Sequence, residues 1–211
     1  MRQFDSKQKK PDFSFETAHH EAGQLLVAGV DEAGRGPWAG PVVAAAVILN
    51  PHNIPDGLND SKKLNETRRE HLFDQIKASA ETAIGIVEAT EIDKINILQA
   101  TMKAMSTAIA SLPRPPDVAL IDGNRAPSLE CLSQTIKKGD ALSLSIAAAS
   151  IVAKVMRDRI MKNLDIQFPD YGFARHKGYG TAFHANALTS LGPCPQHRKS
   201  FAPIKALLID S

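Results

Sequence analysis

Asp31, Glu32, Asp122 and Asp140 are the residues of this chain best suited to chemistry. Asp31 and Glu32 directly follow the apolar run Leu25 to Val30, and Asp122 follows Val118 to Ile121 and precedes Gly123. An apolar run that stops at an acid beside glycine reads as a strand delivering a carboxylate to the end of a sheet, which is where open α/β sheets assemble their sites. Asp140 comes shortly after a further expected strand, Leu132 to Ile136. A lone Asp-Glu pair would be better read as loop acids opening a turn, but three separate addresses weigh against that. If these strands are neighbours, four carboxylates converge with no basic residue forced by the sequence to neutralise them, and such a cluster repels itself. Hard cations with oxygen ligands, Mg²⁺ or Mn²⁺, offset the repulsion. Two of them about 3.5–4 Å apart would activate water and stabilise the leaving oxygen of an in-line phosphoryl displacement.

Other chemistries fit less well. Cys131 and Cys194 form no C-x-x-C pair, so neither a disulfide framework nor a zinc site is indicated. His19 and His20 fall in the polar start, and His176, His184 and His197 are scattered, which suits surface or substrate roles rather than a metal cage. Gly34-Arg35-Gly36-Pro37 lets backbone approach a ligand closely, or is simply a tight turn. It lacks the G-K-[ST] ending of a P-loop, and Pro37 removes an N–H that a phosphate cradle would use.

The elements that must position these residues follow from periodicity. Leu25 to Val30 and Pro41 to Leu49 read as strands, and Asn65 caps a helix from Glu66 to about Ala80 with Leu72, Phe73 and Ile76 at helical spacing. A strand over Thr82 to Ala89 and a long helix from Glu91 to Leu112 follow, the latter with Ile95, Leu98, Met102 and Met105 on one stripe and stopped by Pro113, Pro115 and Pro116. After the strands at 118–121 and 132–136 comes the longest helix, Ala141 to about Asp165. Its alanines at 147, 148, 149 and 153 would let it approach the sheet closely. Thr181 caps a short helix ending before Gly192. The expected fold class is α/β, a mixed central β-sheet flanked by helices with a small helical C-terminal region. One domain is expected over residues 25–211, preceded by a flexible polar extension, residues 1–24, with Lys7, Lys9 and Lys10 before Pro11.

Composition is that of an ordinary globular protein, 43% apolar and 23% charged residues over 211 positions, and no apolar run is long enough to cross a bilayer. A cytoplasmic location is expected, with no membrane partner. The net charge of +2 hides an asymmetry. Residues 1–136 carry 14 Lys/Arg against 18 Asp/Glu, and residues 137–211 carry 11 against 5. A basic second part suits a phosphate backbone, although imbalances of this size are commonly solvated surface.

Five segments in order, GVDEAGRGPWAGPVVAAAVIL (29–49), DSKKL (60–64), IDGN (121–124), KKGDALSLSIAAASIVAKVMRD (137–158) and RHKGYGT (175–181), closely resemble ribonuclease HII. The resemblance spans nearly the whole chain after its polar start and implies a ribonuclease H-like fold. It implies that Asp31, Glu32, Asp122 and Asp140 are the catalytic, metal-binding quartet. It also implies that Gly34, Arg35 and Gly36 contact the ribose 2′-OH through backbone, and that Tyr179 stacks on the sugar of the adjoining deoxynucleotide. Only the 2′-hydroxyl distinguishes RNA from DNA at one nucleotide, so this pairing reads a junction by shape and one hydroxyl. The implied substrates are RNA–DNA hybrids and duplex DNA containing ribonucleotides, cut on the 5′ side of the ribonucleotide to leave 3′-hydroxyl and 5′-phosphate ends by a chain acting as a monomer. The implied task is to begin ribonucleotide removal. Lys62, Lys63, Lys154 and Arg157 read as phosphate contacts, with the competing reading that Lys154 and Asp158, spaced i,i+4, simply pair on the helix surface. Ser61 and Ser150 carry no role that their types reveal. Two alternatives stand beside this reading. A junction resolvase or exonuclease of the same fold class would share the carboxylates but not the GRG-plus-tyrosine pair, and a binding module that has lost catalysis would not need clustered acids facing a polyanion.

Overall fold

The computed structural model describes residues 10–209. Five strands, β1 (Val27–Ala33), β2 (Val42–Leu49), β3 (Ala80–Val87), β4 (Val118–Asp122) and β5 (Leu132–Ile136), form one sheet in the order β3-β2-β1-β4-β5. β1, β2 and β3 pair antiparallel, whereas β4 runs parallel to β1 and β5 parallel to β4, which makes the sheet mixed. The helices among the described residues are α1 (Ser14–Glu21), α2 (Glu66–Ser79), α3 (Ala89–Ala110), α4 (Leu144–Gln167), α5 (Phe173–His176), α6 (Ala182–Leu191) and α7 (Ala202–Ile209).

β2, with the sequence VVAAAVIL, is buried along its whole length because both of its faces are covered. Ala44, Ala46 and Ile48 pack with Ala100, Ala104 and Ala108 of α3, while Ala45, Val47 and Leu49 pack with α2 and with Ala147, Ala148 and Ala149 of α4. Small side chains bring both helices close. A Cβ at Gly29 would overlap the backbone of Ser145, and one at Gly85 would overlap the carbonyl of Ala104. Caps set the helix starts. Asn65 Oδ1 accepts from the Arg68 N–H at 2.8 Å, and Ser143 Oγ accepts from the Ile146 N–H at 3.2 Å, each contributing about 1 kcal/mol. A separate core of Met161, Leu164, Tyr171, Phe173, Leu188 and Ile204 ties the C-terminal helices to the lower half of α4.

Four expectations need correction. The start of the chain is not a flexible tail as far as it is described, since α1 lies against α4. Glu16 is fully buried and accepts from Ser143 Oγ (2.6 Å) and the Ser145 N–H (2.9 Å), and Asp12 exchanges backbone hydrogen bonds with Leu142 and Leu144. Lys7 and Lys9 lie outside the described residues. Asp31 and Glu32 belong to β1 itself rather than to the loop after it. α3 is broken at Asn96, whose φ of 65° leaves the helical region while its side chain caps the Leu98 and Gln99 amides. α4 begins at Leu144 instead of 141, because residues 139–141 form a 3₁₀ turn that carries Asp140.

Candidate active site

The parallel register that sets Val30 beside Ile121 makes Asp31 and Asp122 neighbours at the ends of β1 and β4. Alternation along β1 aims Asp31 toward the α4 face and Glu32 toward the α3 face, so the pair straddles the end of the sheet. Asp140 arrives by a different route. Lys138 adopts a left-handed conformation, the chain turns, and the Gly139 N–H donates to Asp122 Oδ1 at 2.7 Å, tying the turn of Asp140 to β4. Asp31 and Asp140 are both buried, at 4% and 6% exposure.

Burial raises the Asp31 pKa well above the ordinary carboxylate value, and the charges of Glu32, Asp122 and Asp140 push it further. Burial likewise raises Glu32, against the pull of Arg35, and raises Asp140, which also feels Asp60 and Asp122. The four acids therefore share one field. Basic residues do reach them, contrary to the expectation from sequence, for Arg35 Nη1 lies 3.3 Å from Glu32 Oε1 and Lys62 Nζ lies 3.6 Å from Asp140 Oδ2. No three His, Cys, Asp or Glu side chains among the described residues close around a single point. The oxygens are turned instead to donors, with Asp31 Oδ1 accepting from the Glu32 N–H at 2.7 Å. A buried set of oxygen-only donors with excess negative charge fits a hard divalent cation, which would draw those oxygens inward.

Beside the acids, residues 34–41 form a loop held from behind by two buried arginines. Arg198 donates to the carbonyls of Arg35 (2.9 Å), Gly34 and Gly40, and Arg157 donates to those of Pro41 (3.0 Å), Ala39 (3.1 Å) and Lys177 (3.0 Å). Burial lowers their pKa values to about 9 and about 10, so both remain charged at pH 7. Gly34, at φ +97°, has no room for a Cβ because Arg157 fills that space. With the loop's carbonyls drawn inward, the N–H groups of Arg35 and Gly36 have no acceptor among the described residues. Tyr179 stands across from them, 48% exposed, and a Cβ on Gly36 would meet its ring at 3.7 Å. Asp31, Glu32, Asp122, residues 34–36, Ser61, Lys62, Ser150, Lys154 and Tyr179 line one cleft of about 250 Å³.

The turn of Tyr179 is fixed by histidines that sequence reading left on the surface. His176, His184 and His197 are buried, and the rings of His176 and His184 stack at 4.3 Å. Their partners define the tautomers. The Gly178 N–H donates to His176 Nδ1 (3.1 Å), and His176 Nε2–H donates to the Tyr171 carbonyl (2.7 Å). His184 Nδ1–H donates to the Tyr179 carbonyl (3.0 Å), so its Nε2 accepts from His197 Nε2–H (2.9 Å), while His197 Nδ1 accepts from the Cys194 N–H (2.9 Å). A proton added to His176 Nδ1 or His184 Nε2 would meet a donor N–H, and burial lowers His184 and His197 to about 4. A histidine depressed in the folded state contributes stability above its unfolded value of about 6.5 that is lost as pH falls toward 4. Wild type should therefore melt several degrees above a His184→Gln variant at pH 7, with the gap narrowing between pH 6.5 and 4, because the titrating carboxylates common to both proteins cancel. A gap independent of pH would contradict this.

The basic residues divide. Lys62 is exposed at the rim of the cleft, and Lys63 is exposed but does not line it. Lys154 lines it while its Nζ pairs with Asp158 at 2.6 Å, the i,i+4 pairing anticipated as the competing reading. Arg157 also lines the cleft, but it is 1% exposed and each of its three nitrogens donates to a loop carbonyl, so its place here is to hold the 34–41 loop. Ser61 and Ser150 are bonded Oγ to Oγ at 2.8 Å, joining the 60–64 loop to α4. Arg198 was missed because a single arginine in a polar stretch carries no pattern. Asp60, which bears on Asp140, is the first residue of the DSKKL segment at 60–64.

A family model described as ribonuclease HII matches residues 28–204. The chain is similar to ribonuclease HII of Parvibaculum lavamentivorans, at 58% identity over 94% of this chain and 74% of that protein, and to ribonuclease HII 1 of Methylibium petroleiphilum, at 59% identity over 87% and 93%. Among solved structures it resembles the crystal structure of ribonuclease H2 from Pyrococcus horikoshii, with TM-score 0.73 and 27% identity over 87% of this chain and 97% of that one. No helix among the described residues is long and apolar enough to cross a membrane. A mixed sheet of the ribonuclease H-like kind, with relatives of one kind along its length, establishes that the chain belongs to the ribonuclease HII family, hydrolases that cut RNA within RNA–DNA hybrids.

Proposed function

We propose that the enzyme cuts on the 5′ side of a ribonucleotide, both in hybrids and where one ribonucleotide is embedded in duplex DNA, with Mg²⁺ or Mn²⁺ held by Asp31, Glu32, Asp122 and Asp140. The observation that carries this reading is the shared cleft, which sets the unpaired amides of Arg35 and Gly36 and the exposed Tyr179 beside the carboxylates. The amides suit a ribose hydroxyl, and the tyrosine face suits a neighbouring sugar that lacks one. Bound divalent cations supply Lewis acidity for water and for the leaving oxygen. The chain's own part is to fix geometry. The carboxylates set where charge is tolerated, the 34–36 backbone holds the ribose, and Lys62 at the rim of the cleft contacts a flanking phosphate. Water oxygen bonds to phosphorus, the P–O3′ bond breaks, and the 3′-oxygen gains a proton, leaving 5′-phosphate and 3′-hydroxyl ends.

A duplex with one ribonucleotide should be nicked with Mg²⁺ while an all-DNA duplex is left intact. Equal cutting of both would end the proposal. Tyr179→Ala should reduce kcat/KM on that substrate by roughly tenfold, in line with the loss of one stacking platform, while the rise in Tm on adding Mg²⁺ stays as in wild type. Normal cleavage by the variant would remove the stacking role.

A further inference from the structure

Glu32 and Asp122 open on a second cleft. It shares Glu32, Arg35 and Asp122 with the first, encloses about 320 Å³, and contains none of the residues given to the ribonucleotide other than Arg35. Gly123, at φ +101°, turns the chain sharply after β4 and sends Asn124 and Arg125 along its rim. Its floor is Leu98, Met102 and Met105 of α3. Both Asn124 and Arg125 are exposed, and Arg125 has no hydrogen-bond or ion-pair partner among the described residues. Past Arg125 the cleft runs on into a wider groove between α3 and the loop after β4, sharing Leu98, Met102 and Arg125 with it.

A strand cut at one phosphate continues on both sides of it. With the ribonucleotide and the residue after it on the Tyr179 side, the strand before the cut must leave past Glu32 and Asp122 on the other. We infer that this second cleft binds the nucleotides upstream of the scissile phosphate, with Arg125 contacting a phosphodiester one or two steps before the cut. The inference rests on the proposed function, which fixes the direction of the strand. The chemistry is suited to such a ligand. A polyanion led past Glu32 and Asp122 needs a cation beyond them, and an arginine not already paired forms a charge-assisted contact to a phosphate oxygen without breaking one. The floor of leucine and methionine is apolar and adaptable, which accepts a sugar or base of any sequence. Arg35 lies between the two clefts, next to Glu32, where it can follow the strand on either side.

The test uses the full chain with Mg²⁺ and duplexes carrying one ribonucleotide, in which one phosphate is replaced by a neutral methylphosphonate. The replacement is placed one step upstream of the cut, two steps upstream, or two steps downstream. Wild type should lose roughly tenfold in kcat/KM when the contacted upstream phosphate is neutral. Arg125→Ala should show a similar loss on the unmodified duplex with an unchanged Tm, and no further loss when that same phosphate is neutralised. Additive losses at both upstream positions, no loss at either, or non-additivity only at the downstream position would overturn the inference while leaving the proposed function intact. An unmodified duplex left uncut by wild type would overturn both.

Discussion

Asp31→Asn should reduce cleavage by on the order of 10³-fold, about 4 kcal/mol of barrier, and at the same time raise the melting temperature at pH 7. The substitution keeps the side chain's shape and an oxygen for the Glu32 N–H, but removes a charge that is buried and faces Glu32, Asp122 and Asp140. The sign follows from linkage. An acid whose folded pKa lies above its unfolded value binds more protons when folded, so wild type loses stability as pH rises from about 4 through the raised value. The variant lacks this penalty at neutral pH, and its advantage should shrink as pH falls toward 4. Mg²⁺ should reverse the order, raising the Tm of wild type more than that of the variant, because a ligand stabilises the fold by an amount that grows with the logarithm of its affinity. A variant that melts lower at pH 7, or responds to Mg²⁺ as wild type does, would show that Asp31 is structural rather than part of a cation site.

Arg198→Ala should be the most destabilising of the substitutions considered. Three loop carbonyls, those of Gly34, Arg35 and Gly40, would lose the donor that the fully buried Arg198 supplies. At about 1–3 kcal/mol for each buried acceptor left unmade, the cost is several kcal/mol, or a fall in Tm on the order of 10 °C for a chain of this size. Arg198→Lys keeps the charge but not the planar fork, so it should recover part of the stability without restoring all three contacts. Well below its melting point, the lysine variant should lose activity on single-ribonucleotide duplexes while its Mg²⁺-induced rise in Tm stays that of wild type. The loop that carries the Arg35 and Gly36 amides would be loosened and the carboxylates would not. Wild-type stability and activity in the lysine variant would mean that the charge alone suffices.

The order of the five strands and of α2, α3, α4 and α6, the caps at Asn65 and Thr181, and the addresses of the acidic residues were legible in the amino-acid sequence because each is a local property. Strand and helix periods, a polar cap before a turn of helix, and an acid at the end of an apolar run are all written within a few neighbouring positions. The contents of the loops and termini were not. Arg157 and Arg198 were unreadable in their actual role because they bond to carbonyls far away in the chain, and a carbonyl has no residue type to signal it. The histidines at 176, 184 and 197 look scattered in sequence and meet only where the segments around α5, α6 and the 194–198 turn fold together. Glu16 seemed part of a polar tail until α1 was seen to cover the start of α4.

The sequence by itself therefore determined that acids would follow apolar strands in a mixed α/β fold, while the strand order that sets β1 beside β4 was conditional until the sheet was seen. The tertiary structure decided what surrounds them: which cations reach the carboxylates, which buried groups hold the Gly34–Gly36 backbone and Tyr179 beside them, and that the acids open on two clefts. The physical reason is that backbone conformation is encoded by nearby residues. Burial, the pairing of buried polar groups and the field at a carboxylate depend instead on atoms brought together from the whole length of the chain.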